Sequence, residues 1–150
     1  MKSFTRLLLA SAGVSFLLLS CEKESLKIDK ENEFNIPFTA NVNEHIALKS
    51  DDSQVLITVK NISDRRCANH LDCLDAGMAA VRVQVSTSEN SKAESFLYLG
   101  TVGEDRKTVD SVTVRLNKSW YVVSLHSVNP HPMMETTEAQ TAELSIKPKP

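Results

Sequence analysis

All-β is the class this sequence predicts, as a single antiparallel β-sandwich of about eight short strands. Three observations lead there. Apolar residues recur with a period of two, most cleanly where Val81, Val83 and Val85 alternate with Arg82, Gln84 and Ser86, the pattern of a strand with one buried face. Turn-forming clusters such as Gly103-Glu104-Asp105-Arg106 and Asn129-Pro130-His131-Pro132 punctuate these runs. Beyond the first twenty residues no stretch repeats its apolar positions at helical spacing, which argues against βαβ units.

The N-terminus is a separate element. Lys2 and Arg6 precede an uncharged apolar run over residues 7–19, the length expected of a signal-peptide core and too short to span a bilayer. The run ends in Leu18-Leu19-Ser20-Cys21, which resembles the lipobox of bacterial lipoproteins, where cleavage precedes a cysteine that is then lipidated. That resemblance implies a signal peptide over 1–20, palmitate and further acyl chains on Cys21, and a membrane as partner through that lipid. Each buried methylene contributes about 0.8 kcal/mol, so several chains anchor the protein without a transmembrane helix. The expected location is the bacterial cell envelope, at the outer rather than the inner membrane. Residues 22–33 are charged and poor in large apolar side chains, so 21–33 is expected to be a flexible tether.

The domain expected over 34–150 then reads strand by strand. Phe34-Asn35-Ile36-Pro37-Phe38 alternates but contains a proline, which suits an edge. Residues 45–49 place Ile46 and Leu48 on one face, and Val55, Ile57 and Val59 mark the next strand. After the Val81 strand come 96–101, then 109–116 with Val112, Val114 and Leu116 on one face. Residues 120–128 are rich in the aromatic and β-branched types that favour strands, and Trp120 is expected to face the core. The last strand, 141–147, sends Ala142, Leu144 and Ile146 inward. Such a succession of short strands is expected to form an immunoglobulin-like sandwich.

Between the strands of Val59 and Val81 lies a polar loop, residues 64–77, holding Cys67 and Cys73. Export takes the chain out of the reducing cytoplasm, and lipidation of Cys21 leaves these two as a pair, so a disulfide is expected. By chain entropy its seven-residue ring contributes about 2.4 kcal/mol. Cys67, His70 and Cys73, three residues apart, offer a different chemistry: a metal or redox centre with S and N ligands. Arg65, Arg66 and Asp75 are the candidate binding surface of the loop, the Arg65-Arg66 pair being either a site for an anionic partner or a solvated charge pair.

Arg66-Cys67, five residues, Cys73-Leu74-Asp75-Ala76-Gly77 leading into the Val-alternating strand, and later Leu125, Val128, Pro130 and Pro132 together resemble a group of uncharacterised bacterial secreted proteins and lipoproteins. Their pattern is S-R-C-P, a second cysteine, W-A-G before a strand, and V-x-P-x-P near the end. The resemblance covers roughly residues 34–147, with Ala68 where the group has proline and Asp75 where it has tryptophan. It implies a β-sandwich without an assigned activity and supplies no catalytic residue.

Composition narrows the function classes. Removing residues 1–20 takes two of 17 basic and none of 19 acidic residues, leaving about −4, so no basic excess draws nucleic acid. No G-x-S-x-G, S-x-x-K or H-E-x-x-H motif occurs, and glycine is too scarce for a phosphate cradle. His126, His131, Met133 and Met134 could suit copper, but a blue-copper site also needs a cysteine, and none follows residue 73. The expectation is a non-enzymatic binding or accessory module without a cofactor.

Overall fold

The computed structural model describes residues 27–50, 53–67, 73–74, 76–132 and 137–150. Cys21, His70, Asp75, Met133 and Met134 lie outside them. Every regular element among the described residues is a strand: β1 (Lys30–Glu33), β2 (Phe38–Asn41), β3 (His45–Ser50), β4 (Ser53–Asp64), β5 (Met78–Thr87), β6 (Lys92–Val102), β7 (Asp105–Lys107), β8 (Asp110–Leu116), β9 (Ser119–Asn129) and β10 (Thr141–Lys149).

They form two sheets, one ordered β1-β3-β4-β5-β6-β7 and the other β2-β10-β9-β8. Strands β3 through β7 follow one another as a meander in the first sheet, and β8 through β10 do so in the second. An immunoglobulin sandwich instead sends its chain back and forth between sheets by Greek-key connections. The alternation legible in the sequence fixes which side chains share a face but carries no information on that connectivity.

The two inner faces share one core. Ile57, Val83 and Leu97 from the first sheet and Leu125, Leu144 and Ile146 from the second are at most 1% exposed, each contributing roughly 1.5–3 kcal/mol by leaving water. All fully buried members of this core lie between Phe38 and Ile146. A chain beginning at Lys27 therefore retains every described element and the whole of that core.

Four local expectations change. The segment expected to be a free tether already contains β1, which pairs in parallel with β3 from Lys30↔Ile46 to Glu33↔Lys49. Its charged side chains suit this position because an edge strand is held by backbone hydrogen bonds and leaves both faces largely wet. The 34–38 stretch is a turn with only Phe38 in a strand: Asn35 has φ 68° and its amide donates to Ile146 O at 2.8 Å as the chain crosses between sheets. The turn at 103–106 carries a short additional strand, β7, paired with β6. Trp120 faces outward and is 46% exposed, whereas Tyr121 is 5% exposed and stacks on Phe34 with ring centroids 6.0 Å apart. Period two decides this: Tyr121, Val123 and Leu125 take the inner face, and Trp120 must take the other.

Candidate functional site

Two register shifts, one in each sheet, build one end of the molecule. In β4 the pairing with β5 slips between Val59 and Asn61. Before it, odd-numbered residues face inward; after it, Ile62 and Asp64 do, opposite Val81 and Ala79. A β-bulge adds one residue and reverses the alternation beyond it. Asp64 thus enters the interior with its carboxylate fully covered, beside an alanine that leaves it room. In β9 the register with β10 shifts between Glu143 and Leu144, leaving His126 as the extra residue, so that Leu125 and Val128 are both buried.

Arg66 joins the two sheets at this end. Its Nε donates to Asp64 Oδ1 at 2.8 Å and Nη2 to Oδ2 at 2.5 Å, a bidentate pair. Nη2 also donates to Val128 O at 2.8 Å, in the opposite sheet. The Arg66 amide donates to Asp64 Oδ1 as well, at 3.1 Å. The stretches around Arg66-Cys67 and Val128-Asn129-Pro130, far apart in the sequence, therefore meet through this guanidinium. Arg65 is exposed and Arg66 is not, as neighbouring residues of extended chain point to opposite sides. Of the pair, only Arg65 is a solvated surface charge.

The described ends of the loop are tied to each other beside this clamp. Cys67 and Cys73 form a disulfide, Arg65 N donates to Met78 O, and Cys67 N donates to Ala76 O. Leu74 at its tip is fully exposed. With both sulfurs bonded to each other, neither is a thiolate ligand, so a centre on Cys67, His70 and Cys73 requires the reduced chain. Among the described residues no cluster of three metal-ligating side chains occurs.

Beside the clamp opens a cleft of about 410 Å³, between β6–β7 on one side and β9 with its following loop on the other. Arg66, Arg106, Lys107, His126 and His131 contribute its positive or protonatable groups, with Thr108, Ser127 and Asn129 as further polar lining. Arg106 is exposed. Lys107 is held by Asp110 at 2.7 Å. Burial and the neighbouring Arg66 charge hold the His131 imidazole below its ordinary pKa, against an opposing pull from Asp64. Both effects favour the uncharged form of His131 at the cleft wall.

Asp110 is the cleft's acidic support. Its Oδ2 accepts from Tyr98 N at 2.8 Å, tying β8 to the edge of β6. Burial pushes its carboxyl up, but the hydrogen bond from Lys107, that from Tyr98 N and the Lys107 charge together bring it below the usual 3.8. A carboxyl depressed in the folded state stabilises above its unfolded pKa, and the contribution is lost as pH falls through the folded value. Asp110→Asn is expected to lower stability at neutral pH and to flatten the loss below about pH 4. Urea midpoints between pH 2 and 7 test this, and parallel curves for both proteins would refute it.

His126 Nε2 lies 2.8 Å from Ser145 Oγ, and His45 Nδ1 lies 2.8 Å from Thr58 Oγ1. Among the described residues no carboxylate bonds the second ring nitrogen of either histidine, so neither pair has the orienting third member of a hydrolytic triad. The residues that build the cleft from β7, Arg106 and Lys107, were visible in the sequence as a charged pair and a Lys-x-x-Asp spacing. Nothing local marked them as facing Val128. No protein-family model, curated protein or solved structure matches the chain.

Proposed function

We propose that this protein is a lipid-anchored envelope module that binds an anionic group in the end cleft, without catalysis. The observation that carries the reading is the cleft's lining: exposed Arg106, with Lys107, His126, His131 and hydroxyl groups converging on one open space. The Arg66–Asp64 clamp and the disulfide hold its walls, and preorganised donors are what make a polar site bind rather than merely exist. In this reading residues 1–20 are a signal peptide, the lipid sits on Cys21, and the two sheets form a β-sandwich of the uncharacterised secreted group that the sequence resembles. The protein is expected at the outer membrane.

Citrate and inorganic phosphate are the probes for the cleft. Added to residues 27–150, one of them is expected to shift the His131 ring resonances saturably, and Arg106→Ala to weaken that binding by roughly fivefold, one exposed charge pair's worth. Unmoved His131 resonances, or equal affinity in Arg106→Ala, would dismiss the site. Anchoring is tested separately: in the full chain Cys21→Ser is expected to move the protein from the membrane fraction to the soluble one. The metal or redox alternative on Cys67, His70 and Cys73 predicts retained zinc or copper after reduction, which the disulfide-stapled module does not.

A further inference from the structure

The outer face of the β2-β10-β9-β8 sheet carries a second surface, independent of the cleft. Inward residues Val114, Leu116, Tyr121, Val123 and Ile146 fix the phase, so their neighbours lie outward in rows across the sheet. Arg115 pairs with Trp120 and Trp120 with Lys149; Thr113 pairs with Val122 and Val122 with Lys147. The Arg115 guanidinium lies over the indole, 5.6 Å from its centroid. Arg115, Lys147 and Lys149 are exposed, and no carboxylate occurs in either row. Glu143, the acidic residue of this face on β10, lies beyond the bulge and accepts from Ser127.

A basic, aromatic patch on a chain of net charge −2 is a segregation of charge, and it complements a negative partner. Strands about 4.8 Å apart set the spacing between the side chains of each row. The indole is 46% exposed, and a negative group that draws the Arg115 guanidinium off it leaves that ring face to a flat ring, with further negative groups on the two lysines. Ile28, by contrast, lines a pocket with Leu56 and Ser86 in the other sheet. Ile28, next to the first described residue, therefore sits against the other sheet and not against this face.

We propose that the Arg115–Trp120–Lys149 face binds an anionic polysaccharide, with a pyranose ring stacked on Trp120 and its carboxylates on Arg115, Lys147 and Lys149. The choice of a glycan over a nucleic acid, which could use the same stacking and charge, rests on the envelope reading above. Trp120 is the only tryptophan of the chain, so intrinsic emission reports on this face alone.

Residues 27–150 titrated with polygalacturonate are expected to show a saturable change in Trp120 emission that dextran does not produce and that high salt abolishes. Lys147→Ala with Lys149→Ala should weaken binding by about tenfold, the sum of two exposed charge pairs, while Lys60→Ala, a distant exposed lysine, should not. Trp120→Phe, followed by co-sedimentation, should also weaken it. Unchanged emission, equal weakening by Lys60→Ala, or a response confined to oligo(dT) or to phosphatidylglycerol vesicles would overturn the proposal. Arg106→Ala leaves this binding intact, so failure here and failure of the cleft are read separately.

Discussion

Asp64→Ala is expected to destabilise the domain by about 3 kcal/mol, among the largest losses available to a single polar substitution. The Asp64 side chain is 0% exposed and the Arg66 side chain 16%. Removing the carboxylate leaves a guanidinium whose remaining hydrogen-bond partner among the described residues is Val128 O, at the wall of the open cleft. Loss of one partner of a buried pair typically costs 3–5 kcal/mol, and partial access to solvent puts this case near the lower limit. Arg66→Met should cost about 4 kcal/mol, since it strands a wholly covered carboxylate and removes the bridge to β9. The double variant should be more stable than the sum of the two losses by about 1–3 kcal/mol, because each change removes the reason the other residue is costly to leave alone. Arg82→Ala is the control. Its pair with Glu94 is nearly half exposed on both sides, and a screened surface pair contributes at most about 1 kcal/mol. Urea denaturation decides the matter; an Asp64→Ala loss no larger than that of Arg82→Ala would remove the clamp from the account.

The clamp also shows where the sequence is legible. The all-β class, the inward faces of Val81, Val83 and Val85, and those of Ala142, Leu144 and Ile146 follow from strict alternation, and all six are buried. Pairing of Cys67 with Cys73 is expected on the reading that the chain is exported, and both cysteines are in a disulfide. What alternation cannot reveal is a place where it reverses. The bulges at Val59/Asn61 and Glu143/Leu144 insert Lys60 and His126, neither of which marks a bulge by its residue type, yet they bury Asp64 and turn Val128 O toward Arg66. A charged residue near a loop reads as solvated unless the partner is known, and Arg66 finds one of its partners 62 residues away. Trp120 shows the converse. A strand with an aromatic pair at its start offers two phases, and hydrophobicity alone favours the wrong one, because Tyr121 fills the interior against Phe34 while Trp120 is left outside.

Gly77→Ala is expected to cost about 4 kcal/mol and to undo the end cleft. Gly77 has φ +66°, where a side chain adds roughly 1–2 kcal/mol of strain. A Cβ there would also lie 1.9 Å from Arg65 O and 2.9 Å from its carbonyl carbon. Those atoms are backbone, held between Arg65 N→Met78 O and Cys67 N→Ala76 O, so they can yield only by opening the ladder that frames Arg66. Gly103 separates the two contributions. It has φ +63°, and a Cβ added there would meet nothing within 4 Å, so Gly103→Ala should cost the strain alone, about 1–2 kcal/mol. The excess at Gly77 measures the close approach of the two loop strands. It should be accompanied by a change at His131, whose imidazole is held down partly by the Arg66 charge; displacing that guanidinium raises the His131 pKa toward its ordinary value. Thermal or urea denaturation gives the first quantity and NMR titration of the His131 ring the second. If Gly77→Ala is no less stable than Gly103→Ala and His131 titrates unchanged, the Ala76-Gly77 step is an ordinary turn and does not position Arg66.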